Sequence, residues 1–238
     1  PGNYNNLAIT NPGLKSIIAS TTVTNLSITG GATLDTKQYQ ITGTVTGNML
    51  MESGTSLLIG NPMSGGTNVF PSNFVRSNIN LQPNSRVVYQ GLGDQSISGI
   101  PFYQEVETDG FFSGIKSFNA PTTVLGSLFV KQNSSFDLGS SGFNNLIKGN
   151  VSVTGTFQDN LNAGNNSLTV EGGFYNFNNF IFLASGSITN ITVLGDFISQ
   201  KDLLMIGNEA KTLSVYGNFS VLGIVFWRIH GAWLIDEI

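Results

Sequence analysis

The stretches ITVLGDF (residues 191–197) and LSVYGNF (residues 213–219) share one pattern, 22 residues apart: apolar, x, Val, x, Gly, x, Phe. The pattern recurs as VSVTGTF (151–157) and LTVEGGF (168–174), more loosely as YQITGTV (39–45), and weakly as TTVLGSL (122–128). The glycines Gly126, Gly155, Gly172, Gly195 and Gly217 are spaced by 29, 17, 23 and 22 residues. Self-similarity at a period of roughly 20–50 residues marks stacked repeats, each too small to bury its own apolar face.

Residues two apart on a strand point to the same side. Leu213 and Val215 therefore face one way and Ser214 the other; Phe219 and Val221 again share a side, opposite Ser220. The glycine between them permits a turn with positive φ. Each copy reads as a short strand, a corner and a second short strand, with β-branched residues suited to a half-buried pleated surface. This register predicts one interior ladder of Val153, Val170, Val193 and Val215 and another of Phe157, Phe174, Phe197 and Phe219. At about 22 residues per turn the chain is expected to make roughly ten or eleven turns, a rod of about 50 Å.

Composition agrees with a solenoid. Only 10% of the 238 residues are charged, against about 25% in an ordinary soluble domain. Polarity comes instead from amides and hydroxyls, which stack without the repulsion of identical charges about 4.8 Å apart. With 40% hydrophobic residues and 17 Phe, the chain is not of disordered composition. The net charge of −4 and ten scattered Lys and Arg offer no basic face, so no nucleic-acid partner is expected. No run reaches the ~18 apolar residues of a membrane helix, so no membrane insertion is expected. There is no Cys, which excludes a disulfide-stapled fold and a thiolate metal site. The chain starts at Pro1 with no basic-plus-apolar leader, and is expected to begin inside a longer polypeptide and to continue into flanking repeats.

A longer period overlies the short one. Residues 4–35 resemble residues 102–137: Tyr4 matches Tyr103, Lys15 matches Lys116, Thr21-Thr22-Val23 matches Thr122-Thr123-Val124, and Leu34-Asp35 matches Phe136-Asp137. Between the copies lies VVYQGLGDQSISG (87–99). Residues 1–222 thus read as two diverged modules, about 1–100 and 101–222. The segment 61–85, rich in turn formers and holding three of the seven Pro, reads as a lateral loop that breaks the rung pattern. The tail 223–238, with both Trp and the sole His, departs from the rest and reads as a cap or a non-homologous end.

These phrases resemble the β-strand-rich repeat regions of very large secreted or surface proteins of the Bacteroidetes. The resemblance is carried by Tyr4-Asn5-Asn6-Leu7-Ala8-Ile9, Val88-Tyr89-Gln90-Gly91, Gln95-Ser96-Ile97-Ser98-Gly99 and Val215-Tyr216-Gly217-Asn218-Phe219, and covers most of residues 4–222. It implies a right-handed parallel β-helix, export to the cell surface or beyond, and a role in adhesion. The fold class expected is therefore all-β, a right-handed parallel β-helix (β-solenoid) with short strands and Gly/Asn-rich turns. The function expected is a structural or adhesive stalk segment, with surface glycans or a host or neighbouring-cell surface as partner.

A catalytic centre is not expected, nor a cofactor or a metal. The sole His, His230, leaves Ser-His-Asp and His-metal arrangements without their parts. The main enzyme alternative, a β-helix polysaccharide lyase or hydrolase, needs carboxylates and a basic residue on one face. Its acidic candidates are Asp35, Asp94, Asp109, Asp137, Asp159, Asp196 and Asp202, none in a D-x-D or D-D pair. Asp35 and Asp137 occupy matched repeat positions, which points to a recurring turn role. Thr alternation in TTVTN (21–25) and TGTVTGN (42–48) suits an ice-binding face, but Gln158, Asn176, Ser199 and Lys201 are expected to interrupt it. The aromatics of FYNFNNFIF (174–182) suit sugar stacking if exposed, and are expected mainly to fill the core.

Overall fold

The computed structural model describes residues 2–64, 68–110, 114–139, 142–159, 165–178, 180–184, 189–207 and 211–229. Its strands are all in parallel ladders, and the only helical element among the described residues is the 3-10 turn Arg76–Asn78. The chain is a β-solenoid. One sheet of ten strands, here the third face, runs its length from Gly13–Ser16 to Phe219–Val221. Ten strands make nine steps, about 43 Å at about 4.8 Å each. This is fewer turns than the sequence period suggests, because rung length is not constant. From Leu57 to its ladder partner Val87 is 30 residues, from Val87 to Val106 is 19, and later steps such as Val151 to Phe174 are 23.

In the C-terminal half each rung carries three strands. The first face is a seven-stranded sheet from Gln95–Ile97 to Val225–Ile229, and the second a six-stranded sheet from Phe102–Tyr103 to Lys211–Val215. A five-stranded sheet that starts with Gly2–Ile9 and Thr21–Ile28 serves the N-terminal half and ends at Ile79–Leu81. The segment 87–99 spans the change of sheets. Its Tyr89 phenol meets that of Tyr103 at 2.8 Å, and its Gln95 Nε2 donates to the carbonyls of Ile59 and Asn68, each at 3.1 Å.

Alternation drives the packing as expected. On the third face Leu34, Leu57, Val106, Leu128, Val151, Phe174 and Phe197 point inward and are buried. On the second, Val124, Ile147, Val170, Val193 and Val215 form one inward ladder. The expected valine ladder therefore needs correction: Val153 lies on the third face, in register with Val130 and Asn176. Phe157 likewise lies on the first face, in register with Phe136, whereas Phe174, Phe197 and Phe219 share the third. The interior is narrow enough that rings from two faces still meet. Phe118, Phe136, Phe157, Phe174, Phe197 and Phe219 form one chain of ring contacts with centroids 4.9, 5.3, 5.2, 5.3 and 5.5 Å apart.

The phrase thus specifies a strand–corner–strand unit but not which corner. VSVTGTF turns between the third and first faces, while the copies at 168–174, 191–197 and 213–219 turn between the second and third. That explains the spacings of 29 and 17: the true corner ladder is Gly126, Gly149, Gly172, Gly195 and Gly217, at 23, 23, 23 and 22. Its glycines are not at positive φ. They are required by close approach. The N–H of Gly172 donates to the Gly149 carbonyl at 3.1 Å, and a Cβ on Gly172 would sit 2.6 Å from that oxygen.

The same displacement affects the long repeat. Lys15 and Leu34 lie on the third face, whereas their matches Lys116 and Phe136 lie on the first. Local chemistry is nevertheless kept. Asp35 accepts the N–H of Lys37 and Asp137 that of Gly139, both at 2.8 Å across residues of positive φ. These are Asx turns, the recurring role the sequence suggests for both. In the segment 61–85, residues 61–64 and 68–85 are described: Met63 is exposed, whereas Phe70 and Phe74 are buried and Phe70 packs edge-on against Tyr103 at 5.7 Å. The solenoid also runs past residue 222, since Val225–Ile229 pairs with Leu203–Gly207. His230 and the tail after it lie outside the described residues.

Candidate functional site

The seven candidate aspartates are dispersed, each tied to local structure. Asp94, Asp196 and Asp202 accept the backbone N–H of the next rung at Ile115, Asn218 and Ile224, all at 2.8 Å. Asp109 accepts the N–H of Gly110 at 2.8 Å. Asp35 forms an ion pair with Lys37 at 2.8 Å. Asp159 is buried, accepting from Asn166 Nδ2 at 2.9 Å and from the Thr189 hydroxyl. It belongs to an interior polar column in which Asn166, Thr189 and Lys211 occupy successive rungs of the second face.

A second buried polar site lies where the sheets change. Lys116 points inward, and its Nζ donates to the carbonyls of Gly91 and Gly93, each at 2.6 Å. Burial lowers its pKa to about 8, against the opposing pull of Asp94. Burial likewise pushes the phenols of Tyr89 and Tyr103 well above the ordinary range. Each of these groups satisfies a partner inside the wall, so none is presented to a ligand.

What the fold does bring together was absent from the sequence candidates. Glu105 and Glu107, two apart on one strand of the third face, project to the same side. Arg86 bridges them, with its Nη2 2.8 Å from Glu105 and its Nη1 3.0 Å from Glu107. Lys131 lies 3.7 Å from Glu107, and both cations approach the Phe129 ring, at 5.2 Å for Arg86 and 5.7 Å for Lys131. The Glu-x-Glu spacing of residues 105–107 is the signal that marks the pair. Arg86 arrives from the preceding rung, which sequence distance hides. Among the described residues no group of three or more His, Asp or Glu is placed to hold a metal.

The second face presents an uncharged outer surface. Asn144, Ser167, Asn190 and Thr212 form one outward column, and Leu146, Thr169, Thr192 and Ser214 a second. The residues expected to interrupt a Thr face are placed differently: Asn176 and Ser199 point inward and are buried. The interruption comes from Asn144, Leu146 and Asn190 within the columns themselves. In the aromatic stretch, Phe174 fills the core and Phe177 is 42% exposed. Comparison with protein-family models, curated proteins and solved structures finds no match. No helix among the described residues is long and apolar enough to cross a membrane.

Proposed function

We propose that this chain is a structural and adhesive stalk segment of a large secreted or surface-exposed bacterial protein, without catalytic activity. The observation that carries the reading is the second face, whose two in-register outward columns hold no charge over four rungs and, Leu146 apart, consist of amide and hydroxyl side chains. Such a surface makes many weak hydrogen bonds, and repetition along a longer parent chain raises the total avidity. Surface glycans, or a host or neighbouring-cell surface that carries them, are the partners it suits, rather than nucleic acid.

The alternative is a polysaccharide-degrading β-helix, favoured by one observation: two carboxylates, an Arg and a Lys gathered on the third face. Against it, Arg86 and Lys131 occupy those carboxylates directly. Beads coated with the chain are expected to be retained on polysaccharide-coated surfaces without product formation. New reducing ends or unsaturated products, abolished by Glu107→Gln, would overturn the stalk reading and establish the enzyme.

A further inference from the structure

We infer that the corner between the third and first faces carries a subsite for a short neutral saccharide, in a hollow walled by residues 132–135 and 177–178 and floored by residues 154–156. The hollow arises from unequal corner lengths on adjacent rungs. Between Val130 and Ser135 the corner has four residues and between Val153 and Thr156 two, so the shorter corner lies tight against the longer one. Gly155 makes that possible: a Cβ there would lie 2.2 Å from the Lys131 carbonyl oxygen and 2.3 Å from that of Ser134. The result is a recess of about 510 Å³, within the common range of ligand sites.

The chemistry of the lining selects the ligand. Among the described residues, the side chains of Gln132, Asn133, Ser135 and Thr156 make no hydrogen bond, so their amides and hydroxyls are available to a ligand. Asn178 is engaged only weakly, its Nδ2 lying 3.4 Å from the Thr154 carbonyl. No residue of the lining is charged among the described residues, which disfavours a phosphate, a carboxylate or a cation. Phe177, exposed at the edge, supplies an aromatic face. Uncharged donors and acceptors beside an accessible ring match a polyhydroxylated ligand with an apolar C–H face.

This inference rests on the adhesive reading and adds a location and a ligand class to it. The test is titration of the isotopically labelled chain with neutral hexasaccharides of β-1,4-glucose, β-1,3-glucose and β-1,4-N-acetylglucosamine, with hexagalacturonate as the charged comparison. The side-chain amide signals of Gln132, Asn133 and Asn178 are followed. At least one neutral probe is expected to shift these signals while hexagalacturonate does not. Phe177→Ala is expected to weaken that binding about fivefold to tenfold. Asn133→Gly, which fits the positive φ of 67° at this position, is expected to weaken it too. Both positions are exposed, so neither variant disturbs the core. Absence of shifts with every neutral probe, or equal affinity in Phe177→Ala, would overturn the subsite. Retention of beads on polysaccharide surfaces alongside that result leaves the adhesive reading standing, whereas loss of retention as well removes both.

Discussion

Replacing Phe157 by Ala strikes the point where the interior ring column passes from the first face to the third. The ring is fully buried and lies 5.3 Å from Phe136 and 5.2 Å from Phe174. Truncation removes its transfer free energy and leaves a cavity between two rungs, a loss of about 3–5 kcal/mol. Phe219, in the same column, is 44% exposed and packs against Phe197 alone among the described rings. Its truncation opens less enclosed space and is expected to cost about 2–3 kcal/mol, roughly the buried fraction of the full penalty. Because solenoid stability is a sum of rung and neighbour terms, the Phe157 cavity also weakens the coupling between the two halves. Guanidinium denaturation followed by circular dichroism measures both costs, and hydrogen exchange resolved by rung shows whether the halves separate. Equal losses for Phe157→Ala and Phe219→Ala, or a loss under about 1 kcal/mol for Phe157→Ala, would refute the column as a source of stability.

Gly149→Ala places a Cβ 2.5 Å from the Gly126 carbonyl oxygen and is expected to cost about 2–3 kcal/mol in thermal or denaturant unfolding, far more than Ala at an exposed corner position. The buried Lys116 gives a pH signature. Its folded pKa of about 8 lies below the unfolded value near 10.5, so between those values the unfolded chain binds more protons and folding is favoured as pH rises. The stability of the natural chain minus that of Lys116→Met, measured by denaturation, should therefore increase from pH 8 towards pH 10; a flat or falling difference would contradict the buried placement.

Sequence alone determined the solenoid, because its signals are local. Period-two alternation, as in Leu213-Ser214-Val215, decides which side of a strand is apolar, and the Gly-Asn or Gly-Asp step marks a corner wherever it lies. The turn role of Asp35 and Asp137 was legible for the same reason, since an Asx turn closes within three residues. Face assignment was not legible, because it depends on the summed length of every rung and corner. The 30-residue step from Leu57 to Val87 and the 19-residue step that follows displace the later copies onto different faces without altering the local phrase. The phrase VSVTGTF therefore points to a ladder that it does not join, and Gly149, in LIKGNV, carries the Gly-Asn step with Ile147 and Val151 in place of the phrase's Val and Phe. The site features have the same origin. Arg86 meets Glu105 and Glu107 only when one rung stacks on the next, and the hollow beside Phe177 exists only because adjacent corners differ in length. Strand and corner are written in neighbouring residues; which strand lies beside which is decided by stacking.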